Sequence, residues 1–124
     1  LKEYETEAIR NIAFVGHGGS GKTTLSEIIL YTAGESTRIG KIEEGNTISD
    51  YTPNEIEKQI SITTGIMHLE WNNCKINILD TPGYSDFTGE VRSALKVCET
   101  AVILIKSAEG VEVGTETAAD IIKH

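Results

Sequence analysis

The sequence is poor in several residue types: two cysteines, two prolines, one methionine and one tryptophan in 124 residues, with aromatics at 6%. Cys74 and Cys98 lack C-x-x-C spacing and have three histidines for company, which excludes a disulfide scaffold and argues against a zinc set. Both are read as reduced thiols. Low proline beside 39% hydrophobic and 24% charged residues excludes collagen-like and disordered chains. No apolar run approaches the roughly 18 to 20 residues that cross a bilayer, and the opening LKEYETEAIR has no signal-peptide stretch. A cytoplasmic protein without a membrane partner is expected. Basic charge is scarce as well: 11 Lys plus Arg against 19 Asp plus Glu leave a net charge of −8, which disfavours direct DNA binding. At roughly 100 to 200 residues per domain, the length allows one domain. Leu1 in the place of an initiator Met, and an apolar helical pattern still running at His124, lead us to expect part of a longer protein.

Glycine, in contrast, is concentrated. Of 12, four lie between Gly16 and Gly21, directly after the apolar run Ile12 to Val15. A short apolar run stopped by glycines reads as a buried parallel strand entering a tight turn. From Lys22 the period changes: Leu25, Ile28, Ile29 and Thr32 share one helix face, and Gly34 stands where a left-handed cap belongs. Residues 35–59 have no sustained period, and a stretch that long is more often a functional loop than a connector. Ile60, Ile62, Thr64, Ile66, His68 and the offset pair Leu69 and Trp71 read as a strand interrupted at Gly65, with His68 packed or hydrogen-bonded. Asn72-Asn73 marks a turn into KINIL, giving an antiparallel hairpin. A helix with Phe87, Val91, Ala94, Leu95 and Cys98 on one face follows, capped by Ser85 or Asp86. AVILI (101–105) is a wholly apolar strand, and Thr115 to Ile122 starts another helix. The expected fold class is α/β, a mostly parallel sheet with one antiparallel hairpin.

Gly16-His17-Gly18-Gly19-Ser20-Gly21-Lys22-Thr23 matches G-x-x-x-x-G-K-[ST], the P-loop, in its required strand-to-helix setting. A chance match in a chain of this length is on the order of a few in a thousand. Glycines let successive backbone N–H groups converge on phosphate oxygens, while the helix start offers its positive dipole end. Lys22 is placed to reach β and γ phosphates, and the Thr23 hydroxyl to hold Mg²⁺. Asp80, ending an apolar strand, is a second candidate for Mg²⁺, and Thr81-Pro82-Gly83 after it offers an N–H to a γ-phosphate. The Ser61 hydroxyl can supply a further magnesium ligand when a γ-phosphate is present; the competing reading is a strand residue facing solvent. His17 is a variable position of the loop and is not read as a catalyst. Glu27, Glu35, Glu43, Glu44, Glu55 and Glu57 show no metal spacing and read as a solvated face.

The run NIAFVGHGGSGKTTLSEIILYTAG, the loop ending KQISITTG, and NILDTPGYSDFTGEVRSALKVCETAVILIKSAEGVEVGTE together resemble the nucleotide-binding domain of elongation factor G, in the translational GTPase family, in a divergent branch. The resemblance runs from about Arg10 to His124. It implies the G-domain form of the P-loop NTPase fold, with P-loop 16–23, switch I at about 35–62 and switch II at about 80–98, missing strands on the C-terminal side. It implies GTP and GDP as ligands, Mg²⁺ as cofactor, ribosome-stimulated GTP hydrolysis, and the ribosome as partner. Gly16, His17, Gly18, Gly19, Ser20, Gly21, Lys22, Thr23, Thr24, Asp80 and Gly83 then contact nucleotide, and Thr23, Ser61 and Asp80 hold the metal.

Three positions depart from the family. Ser61 stands where a Thr is usual and keeps the hydroxyl without the methyl that fixes its rotamer. Gly19 stands where an Asp is usual, which puts any auxiliary cation in doubt. Tyr84 replaces the His that follows DTPG and orients the attacking water. A phenol can still orient water but, with an ordinary pKa near 10, cannot become a cation near pH 7. Hydrolysis is therefore expected to be slow or to need a partner, with Tyr84 and Lys22 as the catalytic candidates. Two other readings stay open: a GTP-gated interaction module with weak hydrolysis, and an ATP-using P-loop enzyme. Base choice is open because the N-K-x-D loop that reads guanine would begin beyond His124.

Overall fold

The computed structural model describes residues 2–123. In chain order it contains β1 (Ile9–Gly16), α1 (Lys22–Thr32), α2 (Pro53–Lys58), β2 (Gly65–Trp71), β3 (Cys74–Asp80), α3 (Thr88–Leu95), β4 (Thr100–Leu104) and α4 (Val113–Lys123). The four strands form one sheet in the order β2-β3-β1-β4. β1 runs parallel to β3 and to β4, whereas β2 pairs antiparallel with β3. The hairpin turns on Asn72 and Asn73, both at positive φ (48° and 62°), as a two-residue turn of the right twist requires.

Alternation along β1 and β3 gives the sheet two buried faces. Ala13, Val15 and Leu79 pack with Val91 and Ala94 of α3 and Ala118 of α4. Phe14 and Ile78 point the other way, onto Leu30 of α1 and onto Met67 and Leu69 of β2. Each large side chain so buried contributes about 1.5 to 3 kcal/mol. α1 ends as its sequence indicates: Gly34 takes φ 82°, its N–H bonds to Tyr31 O, and Glu35 N–H bonds to Leu30 O.

Several local expectations need correction. β2 begins at Gly65, not Ile60, because the N–H groups of Ile62 and Thr63 donate to the Glu55 carboxylate and that of Thr64 donates to Glu90. The buried face of β2 is Gly65, Met67 and Leu69, so Ile66 and His68 point to solvent. One residue of parity exchanges every side chain between faces. The segment after Gly83 first makes a 3₁₀ turn (Ser85–Phe87); α3 is then N-capped at Phe87 without a side-chain hydrogen bond. β4 pairs on one side only among the described residues, which leaves Val102 and Ile103 partly exposed despite their apolar run. No helix among the described residues is long and apolar enough to cross a membrane.

With β3 on one side of β1 and β4 on the other, the carboxyl end of β1 lies where the strand order reverses. Crevices of open α/β sheets form at that point. Gly16, Asp80 and Leu104 end their strands there.

Candidate functional site

The loop after β1 folds around the ammonium of Lys22. Gly21 takes φ 96° as the N-cap of α1, a left-handed conformation that L side chains rarely adopt, and α1 starts at Lys22. The Lys22 side chain turns back into the loop, and Nζ donates to Gly16 O at 3.0 Å and His17 O at 2.9 Å, with Ser20 Oγ at 3.4 Å. Lys22 is buried and makes no salt bridge among the described residues. Burial lowers its pKa against the opposing pull of Asp80 and Asp50. A buried cation without a bonded anion is unfavourable, so the loop is built to receive negative charge.

Beside it lies a cluster of oxygens. Thr23 Oγ1 donates to Asp80 Oδ2 at 2.7 Å, and Ser49 Oγ donates to the same oxygen at 3.2 Å. Asp80 Oδ1 is buried with no hydrogen-bond partner. Burial, aided by the charge of Asp50, pushes the Asp80 carboxyl up to about 6 against the bonds from Thr23 and Ser49 and the charge of Lys22. Ser61 Oγ donates to Asp50 Oδ2 at 3.0 Å and stands 3.3 Å from Thr23 Oγ1. The hydroxyl protons of Thr23 and Ser61 thus serve two carboxylates, leaving lone pairs where the two oxygens approach. Neighbouring ligands of octahedral Mg²⁺, at about 2.0 to 2.1 Å from the ion, stand about 3 Å apart. The oxygen-only donor set, the orphaned Oδ1 and this spacing all fit Mg²⁺. Among the described residues no group of three His, Cys, Asp or Glu could by itself hold a metal ion.

Ser61 is therefore not the solvent-facing strand residue that its neighbours suggested. The loop that delivers it is held by two glutamates expected on a solvated face and found 1% exposed. Glu27 of α1 accepts from the N–H groups of Gly40, at 2.8 Å, and Ile48. Glu55 accepts from the N–H groups of Ile62 and Thr63, both at 3.1 Å, and from the Thr63 hydroxyl. It also closes a capping box with Thr52 at the start of α2. Thr52-Pro53-Asn54-Glu55 is a legible helix start, a signal that sequence reasoning missed in a segment without period. Glu35, Glu43, Glu44 and Glu57 are exposed as expected. Ser49 and Asp50, both buried in the site, carry no motif and were not anticipated.

The remaining candidates surround the same pocket. Thr81 ties the end of β3 to β1 through its N–H and hydroxyl, both donating to Phe14 O. Gly83 lies so close to the loop that a Cβ on it would stand 2.5 Å from Gly18 N and 2.6 Å from Lys22 Nζ. The Tyr84 ring, 43% exposed, sits with its far end on Gly18. Gly18, Lys22, Thr23, Ser61, Gly83 and Tyr84 line one small cavity of about 100 Å³. Gly19 lines it too and is exposed, and Thr24 is exposed and not among the lining residues. His17 is engaged elsewhere: Nδ1 accepts from Gly114 N–H at 3.1 Å, and Nε2 is 3.5 Å from Glu112 Oε1. It braces the loop against the start of α4. His68 faces solvent, away from the pocket.

An α/β sheet whose switch point carries a glycine loop, a buried lysine and a hydroxyl-carboxylate cluster defines a P-loop nucleotide-binding domain. Residues 7–124 match the Elongation factor Tu GTP binding domain, and the chain belongs to that family. It is 44% identical over 116 residues to "Ribosome-releasing factor 2, mitochondrial" of Scheffersomyces stipitis, covering 94% of this chain and 14% of that protein. It is 41% identical over 110 residues to "Elongation factor G 2" of Borreliella burgdorferi, covering 89% and 16%. A crystal structure from Thermus thermophilus superposes with a TM-score of 0.91 at 43% identity, covering 94% of this chain and 18% of that one. The chain thus spans about one-seventh to one-sixth of the length of these curated relatives.

Proposed function

We propose that this chain is the phosphate- and magnesium-binding part of a GTP-hydrolysing, elongation factor G-like translation factor. GTP and GDP are its ligands and Mg²⁺ its cofactor. The ribosome is its partner in the cytoplasm, where the protein couples hydrolysis to translocation or a related ribosomal step. The observation that carries the reading is the buried ammonium of Lys22 beside the Thr23, Ser61 and Asp80 oxygens, at the carboxyl ends of β1 and β3.

In this reading the backbone N–H groups from Gly18 to Thr24 hold the phosphates, and Lys22 leaves its carbonyl partners for the β and γ oxygens. Thr23, Ser61 and Asp80 would hold Mg²⁺, Asp80 directly or through water. Bound there, Mg²⁺ would supply positive charge against the charge that develops on the phosphate oxygens. Gly83 offers its N–H to the γ-phosphate, and the Tyr84 hydroxyl orients the attacking water. Water adds to the γ-phosphorus as the bond to the β–γ bridging oxygen breaks, yielding GDP and phosphate. Because the transition state is loose, positioning and charge do most of the catalysis.

A second reading, a GTP-gated interaction module with weak hydrolysis, draws on Tyr84 and Gly19, which stand where the family usually has a His and an Asp. Exchange of labelled GTP, GDP and ATP on the full-length protein, with and without ribosomes, tests both. GTP and GDP binding with ribosome-stimulated turnover is the expected result. Binding without stimulation would favour the module, and preference for ATP would sink the assignment.

A further inference from the structure

We propose that Gly18 is a positioning residue for Tyr84: by having no side chain, it seats the phenol ring across the P-loop at the wall of the phosphate pocket. The inference rests on the reading of Tyr84 as the residue that orients the attacking water.

The two adjacent glycines of the loop are needed for different reasons. Gly19 takes φ 78°, and a Cβ there would meet nothing within 4 Å, so its backbone conformation is what requires glycine. Gly18 is the reverse. Its φ lies outside the left-handed range, so an L residue fits its backbone. A Cβ at 18 would stand 2.7 Å from Tyr84 Cζ, 2.9 Å from Cε2 and 3.0 Å from Cε1. These distances are well inside the roughly 3.5 to 4.0 Å at which carbon atoms rest against one another. All three atoms belong to the far end of the ring, the end that bears the hydroxyl.

Tyr84 lines two cavities: the phosphate pocket with Lys22, Thr23 and Ser61, and a cavity of about 140 Å³ with His17, Val91, Val113 and Ile121. A methyl at 18 must move the ring, because the other party to the contact is the loop backbone that Gly83 also packs against. A flexible side chain beside an open cavity moves at little cost, so Gly18→Ala is expected to fold with the phenol displaced. Displacement by about an ångström or more is enough to take the hydroxyl out of reach of a water that it orients.

The test uses the full-length protein as wild type, Gly18→Ala, Tyr84→His and the double variant. 3-Fluorotyrosine is placed at 84 in the two proteins that retain Tyr84. Fluorine NMR reads the ring, and single-turnover GTP hydrolysis with ribosomes at saturating GTP reads the chemistry. The fluorine resonance is expected to move on Gly18→Ala, and hydrolysis to fall about tenfold or more. In the Tyr84→His background, where Cζ and its hydroxyl are gone and a shorter imidazole faces position 18, the same change is expected to cost a clearly smaller factor than in the wild type. An unmoved resonance, or equal losses in both backgrounds, would overturn the proposal, because a purely structural defect in the loop does not depend on residue 84. Wild-type protein that never hydrolyses GTP with ribosomes would instead sink the functional reading, and the fluorine signal alone would then decide the role of Gly18.

Discussion

Replacing Glu55 with alanine should release the loop that carries Ser61 while leaving the sheet intact. The Glu55 carboxylate accepts from the Thr52 N–H and hydroxyl, at 3.2 and 2.7 Å, from the N–H groups of Ile62 and Thr63, both at 3.1 Å, and from the Thr63 hydroxyl at 3.2 Å. A hydrogen bond to a charged group contributes about 1.5 to 3 kcal/mol, less where water can replace the lost partner. Losing the two backbone ties to 62 and 63, with the Thr63 hydroxyl rehydrated, should cost about 3 kcal/mol of local stability. That corresponds to roughly a 150-fold increase in opening of the segment, at about 1.4 kcal/mol per factor of ten. The assay is native-state amide exchange on the full-length protein. Protection of Ile62 and Thr63 should fall by about two orders of magnitude, while Ile78 in the buried sheet keeps its own. Acid should reproduce the effect. Burial pushes the Glu55 carboxyl up, but the bonds from Thr52, Ile62 and Thr63 outweigh it and hold it below the ordinary value of 4.5. A lowered carboxyl pKa stabilises above the unfolded value and stops doing so as pH falls through the folded one. Protection factors at 62 and 63 should therefore hold above about pH 4.5 and decline below it. Unchanged protection in Glu55→Ala would refute the assignment of Glu55 as the clasp.

Glu27→Gln should loosen the first half of the same loop, since one of its two oxygens becomes an NH₂ facing the N–H of Gly40 or Ile48; exchange at those two amides should rise about tenfold or more. Asp80→Asn should separate stability from binding. Without metal, removing a buried charge whose Oδ1 lacks a partner should stabilise the protein by about 1 kcal/mol or more, read as a higher melting temperature in chelator. Affinity for GTP in the presence of Mg²⁺ should fall at least about tenfold, and a melting temperature that drops in chelator would contradict the electrostatic account. Tyr84→His should raise single-turnover hydrolysis on ribosomes by supplying a group that titrates near neutral pH; no gain in rate would count against Tyr84 as the slow point.

What the sequence made legible is what phosphate chemistry requires to be contiguous. A loop that turns consecutive N–H groups toward one anion must spell itself in adjacent residues, so Gly16 to Thr23 stood out, and so did Asp80 to Gly83 at the end of an apolar run. The hairpin was legible at Asn72-Asn73 because its backbone requires two residues that tolerate positive φ. Glu27 and Glu55 were not, because their partners are backbone N–H groups, which every residue but proline has and which leave no mark in the sequence. An acidic side chain in a polar loop looks solvated until something folds over it. Ser61 shows a related limit: alternation from Ile60 onward suggested a strand, yet Glu55 takes the N–H groups that the ladder would need.

The same bonds bear on how the loop can act as a switch. Its two anchors are carboxylates of the chain itself, one on α1 next to the phosphate loop and one inside the segment, and neither touches the pocket that Ser61 enters. A γ-phosphate with Mg²⁺ therefore has no need to order the loop from a random state. It has only to exchange the contact between the Thr23 and Ser61 hydroxyls, already 3.3 Å apart, for ligation of the ion by their lone pairs. The free energy at stake in that exchange is a hydrogen bond or two rather than the closure of a segment of some ~25 residues. A loop arranged in this way should respond to the γ-phosphate mainly at Ser61 and Asp50, with the ties at Glu27 and Glu55 unchanged. Amide exchange at Gly40 and Ile48 should accordingly be the same with GDP as with a non-hydrolysable GTP analogue, and a large difference there would mean that the clasps themselves open.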